Sequence, residues 1–422
     1  MIRLLFHPPE ADYSPVMQAT ERVVSRGSVV MLLITGAHFF HHQLTALVVP
    51  LLPFMRDGFN LTYTQAGGLV SAFSLSYGIG QLPAGWLADR IGARYLLLAG
   101  ISGVALAGLL VGVSGTYGLL VLSLILMGLM GGGYHPSATP IISTAVPPAQ
   151  RGRAMGMHLV GGSASHLVAP LLGVAIATAL GWRGSFLIIG GVVFFFGIAV
   201  FVLFRRLTFA GEEAVAGGQG LSSPPARSAV PIWLFVSMTS LVAAITASTI
   251  AFIPLYLVDH IGLTEGAAAI ALAVFFSAGL WAAPLGGIIA DRIGALTVFG
   301  VIILASGPLI FLLGAVHSAT VVVAILLLLG MTLFVRMTVS ESYLIGVIPP
   351  ARRSTVLGVY FFAGMEGSGI VTPLLGNLID RLGFQAAFAV SGGFTLAAIV
   401  VLGILGLVLH RRAAPGGAVL PQ

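Results

Sequence analysis

The chain has 422 residues, of which 58% are hydrophobic and only 8% charged, whereas soluble domains carry about 25% charged residues. This composition excludes an ordinary soluble domain and predicts many membrane crossings. The formal net charge is +6 and there is no cysteine, which excludes disulfides and thiolate metal sites. No nucleophile motif, cofactor fingerprint or extended soluble domain is present, so we expect neither an enzyme nor a bound cofactor.

Breaks at charges, prolines and glycines divide the chain into stretches long enough to cross a membrane. Residues 1–27 are predicted as a cytoplasmic tail, because they lack a long apolar core. Residues 28–206 form the first predicted bundle, with spans near 28–55, 64–88, 95–114, 116–146, 154–180 and 184–206. Residues 207–230, rich in Gly, Ser and Pro, are interpreted as a cytoplasmic linker. The second bundle, 231–410, has spans near 231–258, 265–290, 297–317, 319–346, 353–379 and 384–409, and residues 411–422 form a second tail.

The basic residues predict the orientation of these spans. All 19 are arginines, and 15 fall in segments on one side of the predicted membrane. Only Arg56, Arg183 and Arg381 fall on the other side, and Arg336 lies within a span. Positive charge marks the cytoplasmic side, so both termini are predicted to be cytoplasmic. The membrane itself is predicted to be the inner membrane of a bacterium. The same distribution argues against a nucleic-acid partner, despite a pI near 10.1.

An internal duplication relates the two bundles. The sequence GWLADRIGAR at 85–94 returns as GIIADRIGAL at 287–296, so that Asp89 corresponds to Asp291 with an offset of 202. The pairs Pro147-Pro148 and Pro349-Pro350 keep the same offset, as do the turns that begin at Gly181 and Gly383. In so apolar a chain, this repeat predicts two similar helical bundles that face each other around a central substrate site.

The pattern G-x-x-x-D-R-x-G-x-R after the second span resembles the signature of the major facilitator superfamily, which repeats it after the eighth span. The resemblance covers about residues 28 to 410. It implies an all-α membrane protein with 12 transmembrane helices in two pseudo-symmetric six-helix bundles. It also implies a secondary transporter whose bundles rock about a midplane site. We expect a monomer in a lipid bilayer, with a small molecule and protons as its partners.

The repeated motif is interpreted as a gate. In the first copy, Asp89 could pair with an arginine across the bundle interface and hold the cytoplasmic side shut. The alternative is a turn in which glycines allow close packing and the charges face water. The second copy has Leu296 in place of the last arginine, so we expect it to matter less. The predicted gating residues are Gly85, Asp89, Arg90, Gly92 and Arg94 in the first copy and Gly287, Asp291, Arg292 and Gly294 in the second.

Two further segments resemble motifs of drug exporters in the same superfamily. The stretch 161–173, GGSASHLVAPLLG, is similar to their antiporter motif, with Ala169 in place of a glycine, and 364–376 is a related sequence. A general packing motif is the alternative, since small residues let helices approach closely. The GGGYHP stretch at 131–136, together with 150–162, resembles the fosmidomycin-resistance branch. That resemblance implies export of small drug-like or anionic compounds.

Histidines within the first and fourth spans are candidate site residues, because polar groups are costly in lipid. His38 and His42 are four residues apart, which places them on one helical face. Their spacing suits a metal pair, but the helix offers no carboxylate. A proton or anion site is therefore favoured, and no metal ligand set is predicted. A histidine bonded to a backbone carbonyl is the alternative. His135 precedes Pro136 and could bond a carbonyl that this proline frees.

Charged groups within the later spans complete the candidate set. His166 and Glu366 take similar positions in the two repeats. A carboxylate at mid-bilayer favours its protonated form through desolvation, so Glu366 suits a proton carrier. Arg336 could hold an anionic group, and Glu341 could act nearer the cytoplasmic end. The predicted substrate-binding residues are His38, His42, His135, His166, Arg336 and Glu366, and the predicted proton-coupling residues are Glu366, His38 and Glu341.

The leading functional hypothesis is a proton-coupled exporter of a small organic or drug-like molecule, working by alternating access. The second is a transporter of an anionic metabolite, in either direction, with Arg336 and the histidines as its anion site. A third is a receptor-like membrane protein without transport. The paired motif and the acids within the spans argue against the third, because a receptor needs neither.

Overall fold

A computed structural model describes residues 15–147, 150–206, 230–349 and 353–413. The first half is built from helices that follow one another with short connections. They are α1 (Pro15–Thr45), α2 (Leu52–Phe59), α3 (Tyr63–Ile91), α4 (Ala93–Leu98), α5 (Val104–Val113), α6 (Tyr117–Gly131), α7 (Tyr134–Ala145) and α8 (Arg151–Arg206). A π-helical turn, Ala99–Gly103, joins α4 to α5 into one continuous span.

The second half repeats this order. Its helices are α9 (Ile232–Leu255), α10 (Glu265–Ile293), α11 (Ala295–Ala315), α12 (Ala319–Val347) and α13 (Arg353–Ala413). A second π-helical segment, Tyr256–His260, extends α9. Residues 230 and 231 lead directly into α9. The second bundle was predicted to begin at residue 231.

Backbone geometry repeats at the predicted offset. Helices α3 and α10 both have 29 residues, and each begins after a threonine, Thr62 or Thr264, whose side chain accepts a hydrogen bond from the helical backbone. Such N-caps satisfy donors that the first helical turn leaves unpaired. Both helices end at a glycine, Gly92 or Gly294, with φ of 90° and 91°. Only glycine adopts this conformation without strain, so the duplicated sequence produces duplicated turns.

Helices α8 and α13 each contain two membrane crossings. Gly181 and Gly383 break their helical geometry, both with φ of 77°. In the described residues, eight helical stretches are long and apolar enough to cross a membrane, and two of these are the double-length helices. The more polar α1 and α3 are also long enough to cross. These helices account for the 12 predicted transmembrane helices, and the even number places Pro15 and Ala413 at the same face.

The first span differs from its prediction. A single helix was expected over 28–55, but α1 runs from Pro15 to Thr45 and a separate short helix, α2, follows. Pro50 explains the break, because proline lacks a backbone N–H and its ring clashes with the carbonyl of the residue four positions earlier. The last regular hydrogen bond before the break joins the Ala46 N–H to the His42 carbonyl. Histidines near the end of α1 therefore lie deep in the bundle, beside an irregular turn.

Two helix pairs hold the halves together. Helix α3 packs against the first part of α13, and the first part of α8 packs against α10. In the first half α1 packs on α8, and in the second half α9 packs on α13. The first span of each repeat therefore packs against the fifth. The interface is tight enough that a Cβ at Gly67 would touch the backbone of Thr372 and Pro373 at 3.0–3.1 Å. These pairings leave a space between the halves near mid-membrane.

Polar contacts between the halves close one end of this space, which we call the sealed end. Arg56 forms an ion pair with Asp259, and the Tyr63 hydroxyl donates a hydrogen bond of 2.8 Å to the same carboxylate. Asp380 accepts from the backbone N–H groups of Tyr63 and Thr64 at 2.9 and 2.8 Å. A carboxylate at the N-terminus of α3 is favoured by the helix dipole. The opposite end, which carries Gly92 and Gly294, is called the motif end.

Neutralising Asp259 should open the sealed end. The chain has no cysteine, so Ala247→Cys supplies a single thiol, at a residue that lines the central cavity. Losing a hydrogen bond to a charged group costs about 1.5–3 kcal/mol, so we expect Asp259→Asn to accelerate labelling from the sealed side by about tenfold. The measurement is the rate of modification by a membrane-impermeant thiol reagent in vesicles of defined orientation.

Asp57→Asn is the matched control, because Asp57 lies 3.9 Å from Arg56 but its side chain is 69% exposed. Exposed pairs contribute little, so this variant should label at the parental rate. Equal acceleration in both variants, or none in Asp259→Asn, would show that the ion pair does not seal this end.

Candidate functional site

A cavity of about 390 Å³ lies between the two halves. Its polar lining differs on its two sides. Tyr77, His42 and His166 come from the first half, and Arg336, Tyr360 and Glu366 come from the second. The remaining lining residues are mostly small or apolar: Thr45, Ala46, Phe73, Ser74, Ala243, Ala247, Leu333, Met337, Gly364 and Ser368. A mostly apolar cavity with a few convergent polar groups is typical of a small-molecule site.

Four of the six predicted substrate-binding residues line this cavity: His42, His166, Arg336 and Glu366. The other two, His38 and His135, lie behind the wall, in ring contact with His42 at centroid distances of 4.8 and 5.6 Å. Glu341 is half-buried and is not part of the lining. The fold thus brings together residues that are separated by more than 300 positions, although their role in binding stays a prediction.

Histidines from α1 and α8 interlock at the wall of the cavity. His158, Gly162 and His166 are spaced by four residues and form one stripe along α8. The His38 ring stacks on His158 with centroids 4.1 Å apart, and the His42 ring contacts His166 at 4.5 Å. Gly162 makes room for this arrangement, because a Cβ there would come within 2.8 Å of His38 Nε2.

Backbone carbonyls orient three of these rings. His38 Nδ1 lies 2.7 Å from the His158 carbonyl, His41 Nδ1 lies 2.7 Å from the Gly100 carbonyl, and His166 Nδ1 lies 2.9 Å from the Gly162 carbonyl. A carbonyl can only accept, so each Nδ1 donates and each Nε2 of a neutral ring presents a lone pair. His41 Nε2 then accepts from the Tyr77 hydroxyl at 3.1 Å. The alternative of a carbonyl-bonded histidine therefore holds for the Nδ1 atoms of these three rings, whereas it does not account for the Nε2 atoms of His38 and His166.

Arg336 is a buried cation held by neutral groups. Its side chain is 4% exposed, and one terminal nitrogen donates to the Thr239 hydroxyl at 2.8 Å and to the Thr239 carbonyl at 3.3 Å. The Tyr360 hydroxyl is also hydrogen-bonded to the guanidinium. Among the described residues, the ion pairs within 4.0 Å involve Arg56 rather than Arg336. The guanidinium thus lines the cavity without an ion pair within 4.0 Å in the described part of the chain, and the acidic side chain that interacts with it electrostatically at longer range is Glu341.

Glu366 is the carboxylate that lines the cavity. The residue is 5% exposed, and its Oε2 atom has no hydrogen-bond partner among the described atoms. Gly78, one position beyond the cavity residue Tyr77 on α3, makes room for it, since a Cβ at that position would overlap the carboxyl group. A buried polar atom without a hydrogen-bond partner is costly, so Glu366 Oε2 has the capacity to pair with a group inside the cavity.

The motif residues lie at the ends of α3 and α10 rather than in loops. The second span was predicted to end near residue 88, but α3 continues to Ile91, so both Gly85 and Asp89 fall within the helix. The Asp89 side chain lies outside the described residues. Arg90 packs on the Trp86 ring at 4.1 Å from its centroid. Arg94 is part of α4, the helix that follows the Gly92 turn.

The second copy repeats this backbone. Gly287, Asp291 and Arg292 belong to the last turns of α10, and Gly294 forms the turn itself. The Asp291 and Arg292 side chains are exposed. The gating interpretation stays a prediction. Its physical basis is the two sharp turns at Gly92 and Gly294, which fix the position of each Asp–Arg pair at the end of its helix.

Sequence reasoning missed several residues that line or support the cavity. Tyr77, Tyr360 and Thr239 gave no signal, because tyrosine and threonine within an apolar helix are common. His158 did have a signal, since its spacing to His166 is eight residues, or two turns along one helical face. This stripe could have been paired with His38 and His42 on α1, but only the packing of α1 on α8 shows which rings meet.

Comparison with known proteins identifies the family. The family model of the Major Facilitator Superfamily matches residues 34–365 and again 235–421. The chain therefore belongs to this superfamily of membrane transporters, and it is a multi-pass membrane protein rather than an enzyme. The resemblance inferred from the repeated loop motif is confirmed, as is the all-α fold class with two six-helix bundles.

Individual relatives fall into different transport groups. The chain is 26% identical over 367 residues to "Probable sulfoacetate transporter SauU" of Cupriavidus necator, covering 81% of this chain and 84% of that protein. It is also 26% identical over 381 residues to "Multidrug resistance protein MdtG" of Proteus mirabilis, covering 84% and 89%. Among solved structures, an inward-facing bacterial homolog of the human lysosomal transporter Spinster aligns with a TM-score of 0.70 at 17% identity, covering 91% and 96%. That structure supports the fold alone.

If the motif is a conformational gate, Asp89→Asn should slow transport without removing the substrate site. A change in the balance of states alters turnover more than affinity. We expect turnover to fall about tenfold, which corresponds to 1.4 kcal/mol, while the dissociation constant stays within a few-fold. Transport by reconstituted protein and equilibrium binding to the same preparation measure the two quantities.

Asp291→Asn is the internal control and should have the smaller effect, because the second copy lacks the final arginine. Binding that collapses in Asp89→Asn, with normal turnover per bound molecule, would point to a direct substrate contact instead of a gate.

Proposed function

We propose that the protein is a proton-coupled secondary transporter of a small organic anion, such as a carboxylate, sulfonate or phosphonate. The observation that carries this proposal is Arg336, a buried guanidinium at the cavity wall that donates hydrogen bonds to neutral groups and forms no ion pair within 4.0 Å among the described residues. Leaving a charge buried without a counterion costs several kcal/mol. An anionic substrate would supply that counterion.

The chemistry of Arg336 suits such a ligand. Guanidinium groups bind planar carboxylates and tetrahedral oxyanions through two parallel hydrogen bonds. Thr239 and Tyr360 hold the guanidinium in place, which limits the conformational entropy lost on binding. The apolar lining formed by Phe73, Leu333 and Met337 suits the carbon skeleton of the substrate.

Proton coupling is proposed for Glu366. The protonated acid is neutral, so a single substrate charge at Arg336 leaves the loaded cavity without excess charge. A deprotonated Glu366 would instead compete with the substrate for the same cation. Binding of an anion and retention of a proton are therefore linked. Each event increases the affinity for the other by the same factor, and this reciprocity supports proton coupling.

The conformational cycle is proposed to be alternating access. The contacts between the halves at the sealed end, through Asp259 and Asp380, involve residues from both bundles, so they must break when that end opens. The positive-inside prediction puts the motif end in the cytoplasm. We therefore propose that this structure is an inward-facing state, in which the substrate is released into the cytoplasm or captured from it.

Efflux of a drug-like molecule is the second candidate. The largely apolar lining favours it, and so does the similarity to a multidrug resistance protein, MdtG. The similarity to a probable sulfoacetate transporter, SauU, favours the anion instead, since sulfoacetate carries a sulfonate and a carboxylate. Arg336 decides between them in our proposal, because a neutral or cationic drug would leave its charge unpaired.

Replacing Arg336 tests the substrate class. Truncating one member of a buried charge pair costs about 2–5 kcal/mol, so Arg336→Gln should weaken binding of the transported anion by about a hundredfold or more. Arg336→Lys keeps the charge but loses the paired hydrogen bonds, so it should be intermediate. Calorimetric binding across a panel of carboxylates, sulfonates and phosphonates, with uncharged analogues of equal size, provides the measurement.

The reverse pattern would favour drug efflux. A wild-type protein that binds only the uncharged members of the panel would contradict the anion proposal. So would an Arg336→Gln variant with unchanged anion affinity.

Replacing Glu366 tests coupling. Glu366→Gln keeps the shape of the side chain but cannot carry a proton, so we expect accumulation driven by a pH gradient to be lost while downhill exchange continues. Uptake into proteoliposomes, with and without an imposed pH gradient, measures both.

Glu341→Gln is the parallel variant, because Glu341 is the other predicted coupling acid but does not line the cavity. It should retain gradient-driven accumulation. If Glu366→Gln still concentrates substrate and Glu341→Gln does not, the coupling acid is Glu341. If both retain accumulation, protons are not coupled through either acid.

A further inference from the structure

Three histidines meet beside the substrate cavity, and the proposed function assigns a task to none of them. His38 and His42 lie one turn apart on α1, and His135 lies in the first turn of α7. Their ring centroids form a nearly equilateral triangle, with sides of 4.8, 5.3 and 5.6 Å. One potential ligand atom from each ring lies within 4.8 Å of the other two.

The hydrogen bonds of His38 and His42 within the described part of the chain involve Nδ1, so in the neutral ring each Nε2 is an acceptor. His38 is 4% exposed, its Nδ1 donates to the His158 carbonyl, and its Nε2 is buried with no partner among the described atoms. The Thr45 hydroxyl lies 3.1 Å from His42 Nδ1 and can accept from it in the same way. An anion needs donors, whereas convergent lone pairs suit a cation.

We infer that His38, His42 and His135 bind one divalent transition-metal ion of the zinc class, with an open coordination position facing the cavity. Three neutral imidazoles without a carboxylate suit zinc, copper, nickel or cobalt and disfavour magnesium and calcium. Three protein ligands with one open position is the arrangement of zinc sites that exchange a ligand. His42 lines the cavity, so the fourth position is accessible to water or to an anionic group.

The supporting contacts match what metal sites require. Metal-bound histidines usually donate their second ring N–H to a carbonyl or carboxylate, which fixes the tautomer and the ring orientation. The His158 carbonyl does this for His38, and the His158 ring stacks on His38 from one side. Gly162 leaves the space beside Nε2 that a Cβ would fill.

A small contraction completes the site. Zn–N distances are about 2.0–2.1 Å, so two nitrogens on a tetrahedral ion are about 3.3 Å apart, compared with a present limit of 4.8 Å. The rings of His42 and His135 are partly exposed and can close this gap by rotation, while His38 stays fixed by its carbonyl. All three ligands belong to the first half, so the site does not depend on how the two halves are arranged. The inference is therefore independent of the proposed substrate and of the proton carrier.

Metal titration of the detergent-solubilised full-length chain tests the inference, with purification through a tag that contains no histidine. We expect calorimetry to give one Zn²⁺ per chain, and Co²⁺ to give the visible absorption bands of a tetrahedral nitrogen-ligated ion. Loss of a supporting hydrogen bond costs about 10–100-fold in metal affinity, so His38→Ala, His42→Ala and His135→Ala should each weaken binding by at least about 100-fold.

The matched control is His317→Ala, which removes a histidine that instead bonds Gln385 at 2.7 Å. This variant should bind Zn²⁺ with wild-type affinity. Because His38 is buried and its removal can destabilise the bundle, His42→Ala and His135→Ala decide the outcome, with gel filtration and circular dichroism confirming their fold. Gly162→Ala keeps all three ligands but displaces the His38 ring, so it should also weaken binding.

Several results would overturn the inference. One is a wild-type protein that binds neither Zn²⁺ nor Co²⁺ at micromolar concentrations. Others are unchanged affinity in both His42→Ala and His135→Ala, or equal binding of Mg²⁺, which would indicate oxygen ligands elsewhere.

Discussion

The hydrocarbon core of a membrane offers no hydrogen-bond partners, and the polar interior of this protein depends on that one constraint. A polar side chain placed there must pair with another group, face a cavity or pay a desolvation cost. The histidines of α1 solve the problem with backbone carbonyls. Arg336 solves it only in part, through Thr239 and Tyr360, and the charge that remains is the basis of our proposal that the cavity selects anions.

Duplication explains the scaffold but not the chemistry of the site. The two halves share helix lengths, threonine caps and glycine turns at a fixed offset, and their helices pair with each other in the same way. Yet the first half contributes neutral imidazoles, and the second contributes Arg336 and Glu366. Because the two sides of the cavity carry different groups, a substrate between them has a preferred orientation. Sequence divergence at a few cavity positions is enough to make the two sides different, because the residues that pack the helices maintain the same fold in both halves.

The same asymmetry separates the proposed tasks. The groups that we propose select the substrate and carry the proton lie on the second half, whereas the histidine triangle lies entirely on the first. The contacts at the sealed end link α2 and α3 of the first half to the ends of α9 and of the first part of α13. Closing that end therefore brings the two walls of the cavity together. A ligand that touches both walls can stabilise one state of the protein over the other, which is the requirement for coupling binding to movement.

The sequence alone determined the architecture: twelve crossings, two related bundles, the sharp turns and the superfamily, because apolar length, repeated motifs and arginine placement are local patterns. It also picked His42, His166, Arg336 and Glu366 as site residues, since polar groups are rare in lipid. Only the tertiary structure decided that these four share one cavity, that Tyr360 and Thr239 hold Arg336, and that His135 completes a triangle with His38 and His42. Those facts depend on which helical faces meet, and helix packing joins residues that no short sequence window contains.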